Sequence, residues 1–214
     1  MKLLAYEVDK RPFLGVFNEN ETWAYPISAA GMEYRSMKDL IREAGPSEME
    51  MLDYISKKAP GDVTGAAPVE EIKIVSPIPE PDQDIICLGI NYMDHAAESA
   101  RFQKEEFARP EKAIYFSKRV NRTNDPDGII PAHKNLTNQL DYEAELAVII
   151  KKDAKDVKPE EVKDYIFGYT IMNDISAREV QTEHKQWYFG KSLDGFTPLG
   201  PCIMTVDSTA FPPV

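Results

Sequence analysis

Residues Asp141 to Ile150 read "DYEAELAVII", a strand-like run that sets three carboxylates ahead of an apolar stretch. Side chains alternate faces along a strand, so Asp141, Glu143 and Glu145 share one side while Tyr142, Ala144 and Leu146 share the other. Two rises of ~3.3 Å leave the two glutamate stems about 6–7 Å apart. At an effective dielectric of ~20 their repulsion is roughly 2–3 kcal/mol if both are ionised and half buried. Either water solvates the acidic face, or a bound cation offsets the repulsion, since hard divalent ions take carboxylate oxygens.

The bulk properties narrow the partners. A chain of 214 residues holds one core of respectable size, or one domain with a small appendage. A formal net charge of −11 argues against nucleic acid or an anionic membrane surface, and a cation is the partner such a chain tolerates best. Cys87 and Cys202 are too few for a disulfide framework, and Cys87 sits in the apolar run "IICLGI", so buried thiols in a reducing cytoplasm are expected. "MKLLAYEVDK" lacks the apolar core and cleavage site of a signal peptide, and no run of about 18 apolar residues exists to span a membrane.

Leu3 to Val8, Phe13 to Phe17 and Thr22 to Ile27 read as short strands. Two helices follow, one over Met37 to Glu43 and one opening at Ser47, with Glu50 three residues on as a capping box. A small leading domain over residues 1–67, a strand "IKIV" with a Pro-rich linker over 68–84, and a main domain over 85–214 are expected. The main domain predicts strands at "DIICLGI", Ala113 to Ser117, Glu143 to Ile150 and Phe167 to Met172, with helices at Met93 to Ala100 and near Pro159 to Tyr165. Strands dominate and connections vary in length, which favours a mixed α+β architecture; no Gly-rich phosphate loop is present.

Three further stretches carry candidate chemistry. In "MNDISAREVQ", Asp174, Arg178 and Gln181 are spaced i, i+4, i+7, the spacing of one helical face. They read either as an N-capping aspartate with a solvated face, or as a third metal carboxylate with two substrate contacts. In "NYMDHAAES", His95 and Glu98 stand one helical turn apart, a surface coincidence or an imidazole oriented by a carboxylate for proton transfer. "QWYFGKSLDGFTPLGP" contributes Lys191, either an exposed lysine or one that polarises a carbonyl in a closed cleft. His133 and His184 lack metal-ligand spacing and read as structural or surface residues.

Together, "LGINYMDHAAES", "LDYEAELAVII", "FGYTIMNDISAREVQ" and "QWYFGKSLDGFTPLGP" resemble the fumarylacetoacetate hydrolase family, in the same order, from about Ile85 to Thr205. The resemblance implies a strand-dominated sandwich or roll preceded by a small α/β domain, and a homodimer. It implies that Glu143, Glu145 and Asp174 hold Mg²⁺ or Mn²⁺, that His95 and Glu98 activate water, and that Arg178, Gln181 and Lys191 contact substrate oxygens. Such proteins normally continue for several dozen residues past this point, including a Thr-Gly-Thr-Pro-like loop that closes over the substrate, whereas this chain stops at "STAFPPV".

The reaction expected from this apparatus is metal-assisted cleavage of a carbon–carbon bond in a 2,4-dioxo acid of the acylpyruvate type. Water activated by His95 attacks the distal carbonyl, and the departing enolate is stabilised by the cation and Lys191. The same enolate serves decarboxylation of oxaloacetate or isomerisation of a hydroxymuconate-like diacid. A metal-binding module without catalysis is the rival of a different class.

Overall fold

The computed structural model describes residues 1–91 and 112–208, so the helix expected at Met93 to Ala100, with His95 and Glu98, lies outside the described residues. Strands β1 (Lys2–Val8), β2 (Arg11–Phe17) and β3 (Trp23–Pro26) run antiparallel in chain order. Val8 pairs with Arg11, leaving Asp9 and Lys10 as a two-residue turn with φ of 49° and 64°. Positive φ at both central residues is the turn whose twist suits a hairpin.

Helices α1 (Met37–Glu43) and α2 (Pro46–Ser56) come next. Ser36 caps α1 through its side chain, which accepts the Asp39 N–H at 3.2 Å. The box on α2 differs from the Ser47/Glu50 expectation. The Glu48 carboxylate accepts the Gly45 N–H at 2.9 Å, and Pro46 takes the first helical position, where a missing N–H costs nothing. The helix therefore starts earlier than the Ser47 spacing indicates.

Strands β4 (Ala67–Pro68) and β5 (Lys73–Val75) are short. β6 (Ile85–Gly89) and β7 (Ile114–Lys118) pair antiparallel as a sheet of their own. β8 (Leu140–Asp141), β9 (Ala144–Ile150), β10 (Ile166–Asn173) and β11 (Ser176–Ala177) follow, then α3 (Arg178–Glu183), α4 (Trp187–Lys191) and β12 (Leu199–Thr205). The segment Pro159–Tyr165 is a 3-10 helix with proline at its start.

Among the described residues an eight-stranded sheet runs β4-β3-β2-β1-β12-β10-β9, with β5 alongside β1. The strand-dominated α+β architecture read from the sequence is the one the chain adopts. β12 lies in the middle of the sheet, between β1 and β10, and sequence patterning misses it because "LGPCIMT" carries a proline. The ladder to β10 shifts register between Tyr169 and Ile171, so Pro201 falls in an irregular stretch that asks less of its missing N–H.

Leu3 pairs with Ile203, which joins residues of the leading segment to the later strands in one sheet. One apolar cluster accordingly holds Leu3, Tyr25, Leu40, Leu52, Ile55, Phe167 and Ile203. Leu40 and Leu52 are wholly buried there, each contributing roughly 1.5–3 kcal/mol of burial. No helix among the described residues is long and apolar enough to cross a membrane.

Candidate functional site

Strand β9 inverts the usual amphipathic pattern. Glu143 and Glu145 stand on the partly buried row with Ala147 and Ile149, while Leu146, Val148 and Ile150 face outward and are exposed. The acidic face is therefore only partly solvated: Glu143 and Glu145 are half-buried, while Asp141 stays exposed.

The β9–β10 ladder pairs Glu145 with Met172 and Ala144 with Asn173. Pairing resumes in the same register where β8 meets β11, with Asp141 opposite Ser176. Between the two ladders Glu143 and Asp174 face each other: the Asp174 N–H donates to the Glu143 carbonyl at 2.8 Å. The Glu143 N–H in turn donates to Asn173 Oδ1 at 3.2 Å. Strand pairing alone thus forces two carboxylates together, and Asp174 is 2% exposed.

Two carboxylates in such a place require cations. Lys118, at the end of β7 and wholly buried, donates to Asp174 Oδ1 and to the Ile175 carbonyl at 3.1 Å. Burial pushes its pKa down, against the pull of Asp174. Lys191, at the end of α4, donates to Glu143 Oε2 at 2.6 Å and to Asp174 Oδ2 at 2.7 Å. Its ammonium also stands 5.2 Å from the centre of the Phe116 ring. Arg178, opening α3, donates to Glu143 Oε1 at 2.6 Å and to Asp141 Oδ2 at 2.7 Å, and its Nη1 reaches Gln181 Oε1 at 3.2 Å. Burial alone would raise the Glu143 pKa, but the hydrogen bonds and charges of Lys191 and Arg178 hold it below the usual carboxylate range.

Local packing fixes these groups. A Cβ on Gly190 would come within 2.7 Å of the Gln181 nitrogen and 2.8 Å of the Ala177 oxygen, so only glycine lets α4 lie this close to α3. That contact sets where the neighbouring Lys191 emerges. Trp187 packs its ring edge-on to Phe116 at 5.2 Å between centroids, tying α4 to β7.

The structure thus brings Glu143, Asp174, Arg178, Gln181 and Lys191 into one cluster. It does so by a different route from the helical face that the spacing of Asp174, Arg178 and Gln181 describes: the helix begins at Arg178, and Asp174 belongs to the turn after β10. Glu145 is half-buried on the same side of β9 as Glu143, opposite Met172. Among the described residues no group of three or more His, Cys, Asp or Glu is drawn close enough to hold an ion. Hard oxygen donors still suit Mg²⁺ or Mn²⁺: Glu143 and Asp174 each turn one oxygen to a single cationic position, the one held by the Lys191 ammonium. Glu143 and Asp174 are thus oxygen donors of the kind a hard divalent ion takes, each gripped on its other oxygen by Arg178 or Lys118.

Lys118 escapes a reading by motif. Its signal is the period of two in "IYFSK", which puts Lys118 on the inward row with Ile114 and Phe116. Cys87, the apolar-run thiol, has its pKa pushed up to about 12 by burial and by the Asp174 charge, so it stays a protonated thiol at neutral pH. His133 accepts a packing role, with Nε2 2.9 Å from the Asp194 carbonyl and its ring edge-on to Phe196. His184 likewise turns Nδ1 to the Val180 carbonyl at 3.0 Å.

Comparison with known proteins bears on this arrangement. The oxaloacetate tautomerase YisK of Bacillus subtilis is 41% identical over 157 residues, which is 72% of this chain and 51% of YisK; the chain spans about half of that relative's length. A fumarylacetoacetate hydrolase from the psychrophile Exiguobacterium antarcticum superposes with a TM-score of 0.74 at 32% identity, covering 98% of this chain and 68% of that one. A maleylpyruvate hydrolase from Sphingobium sp. SYK-6, solved with manganese(II) and pyruvate, superposes with a TM-score of 0.67 at 26% identity, over 99% of this chain and 70% of that one. The fumarylacetoacetate hydrolase C-terminal family model matches residues 84–212, which takes in every strand from β6 to β12 and the whole carboxylate–lysine cluster. The chain belongs to the fumarylacetoacetate hydrolase family.

Proposed function

We propose that this chain forms and holds the enolate of a small 2-oxo acid, with a divalent cation, Mg²⁺ or Mn²⁺, carried by Glu143, Asp174 and Glu145. The observation that supports it most is the meeting of Arg178 and Lys191 with Glu143 and Asp174 in one largely buried cluster. The cation supplies Lewis-acid polarisation of the acid's oxygens when bound.

The chain's own residues do the rest. Arg178 offers a planar fork whose second role, after bracing Glu143, is to receive a substrate carboxylate. Lys191 brings a positive charge on a short leash, suited to an oxyanion as it develops. Low water access around Asp174 and Lys191 strengthens both contacts. In hydrolysis of a 2,4-dioxo acid, water adds to the distal carbonyl, the carbon–carbon bond breaks, and its electron pair leaves as the pyruvate-type enolate. His95 and Glu98 would activate that water.

Keto–enol conversion of oxaloacetate needs the same enolate and no water, and the identity with an oxaloacetate tautomerase favours it as a second reading. The test is one panel. Acylpyruvate hydrolysis and oxaloacetate enol decay are followed with Mn²⁺, with Mg²⁺ and with chelator, for the wild type and Glu143→Gln. Metal-dependent turnover lost in the variant supports the enolate reading, and the substrate turned over chooses between its two forms. Turnover unaffected by both chelator and the substitution would sink it.

A further inference from the structure

We propose that the Lys191 ammonium stands in for the divalent cation between Glu143 and Asp174, so that cation entry and release of Lys191 toward substrate are a single exchange. The inference rests on the reading of those two carboxylates as cation ligands.

The division of oxygens carries it. Glu143 gives Oε1 to Arg178 and Oε2 to Lys191; Asp174 gives Oδ1 to Lys118 and Oδ2 to Lys191. The two oxygens that turn to a common point are therefore both engaged by one ammonium, while their partners are gripped from behind. Two cations cannot share that point, because like charges at hydrogen-bond range repel strongly in a medium of low dielectric. A divalent ion held by Glu143 and Asp174 would require the ammonium to leave the oxygens it now engages. Arg178 and Lys118 keep both carboxylates from swinging as it goes, so the cation meets donors already in place. Lys191 cannot go far, since Gly190 is locked against the backbone of Ala177 and Gln181. Freed from the two carboxylates, its charge suits the oxygens of an incoming acid. The lysine becomes available for an oxyanion only once the metal is loaded, which orders the two events.

Mn²⁺ titration by calorimetry on the purified chain, wild type against Lys191→Met and Lys118→Met, tests the exchange. Lys191→Met is expected to bind Mn²⁺ roughly tenfold or more tightly than wild type, because no ammonium has to be displaced. Lys118→Met removes the same charge from the far oxygen of Asp174 and is expected to show no such gain. Equal affinity of wild type and Lys191→Met overturns the exchange and leaves the cation reading standing. Equal tightening in both variants also overturns it, since charge removal alone would then account for the effect. Uptake by Lys191→Met but not by wild type overturns the exchange, since the native ammonium then never yields its place, and uptake by neither removes both the exchange and the cation reading. If Lys191→Met is unfolded in chelator, far-ultraviolet circular dichroism during Mn²⁺ addition decides: regained structure supports the exchange, and none overturns it.

Discussion

Lys118 and Lys191 hold opposite oxygens of one buried carboxylate, Lys118 on Oδ1 of Asp174 and Lys191 on Oδ2. The two lysines come from segments far apart in sequence, the end of a strand and the end of a helix, and Asp174 is the point where β7 and α4 are joined electrostatically. Lys118 has no access to solvent, and its ammonium holds Asp174 and the Ile175 carbonyl in place.

Removing one member of a buried pair leaves an uncompensated charge, the costly case. Lys118→Met is therefore expected to lower stability by about 3–5 kcal/mol, read from urea unfolding midpoints at neutral pH. A loss below about 1 kcal/mol would show that Asp174 is satisfied without Lys118.

Arg178 binds two carboxylates through its fork, a geometry lysine cannot reproduce. Arg178→Lys is expected to raise KM for a carboxylate substrate roughly tenfold or more, with kcat reduced less. Steady-state kinetics on the substrate identified by the activity panel check this. An unchanged KM would remove the carboxylate-binding assignment.

Gly190→Ala adds a methyl group aimed at backbone atoms, which cannot yield as a flexible side chain would. Helix α4 must shift, at a cost of about 1–3 kcal/mol, and carry Lys191 with it. Thermal unfolding should show the loss and turnover should fall with it. Wild-type stability together with wild-type turnover would contradict the packing argument.

Asp125 accepts the Ser76 N–H at 3.0 Å and the Lys73 ammonium at 3.0 Å. Burial pushes its pKa up, but those two donors more than offset this and hold it below the ordinary carboxylate value. With the folded pKa depressed, its contribution is fully present above the unfolded value of about 3.9 and is lost as pH falls through the folded value. The stability difference between wild type and Asp125→Asn should therefore shrink between pH 6 and pH 3, as followed by urea unfolding. A difference that is flat across that range, or grows toward acid, would reverse the sign argued here.

Much of this was legible where a short-range rule governs. The meander β1 to β3 and helix α1 follow from alternation and capping, and they appear within a residue or two of the expected bounds. The acidic pair in "DYEAELAVII" signals a site because no apolar core accepts it unaided. β12 was not legible: its proline opposes a central strand, and only tertiary pairing with β1 and β10 makes it one. Lys118 was hidden for a related reason. A lysine at a strand end ordinarily faces water, and what turns it inward is Asp174, 56 residues on. The cap of α2 was misplaced because Ser47 offers the right spacing, yet Pro46 with Gly45 and Glu48 starts the helix first.

The pairing of Leu3 with Ile203 has a consequence for how the protein is made. A ribosome releases β1 well before the strand that completes its ladder, which emerges some two hundred residues later. Until then the Lys2–Leu3 end of that edge, beyond the stretch that β5 covers, shows unpaired backbone groups, and contacts spanning so much chain form slowly.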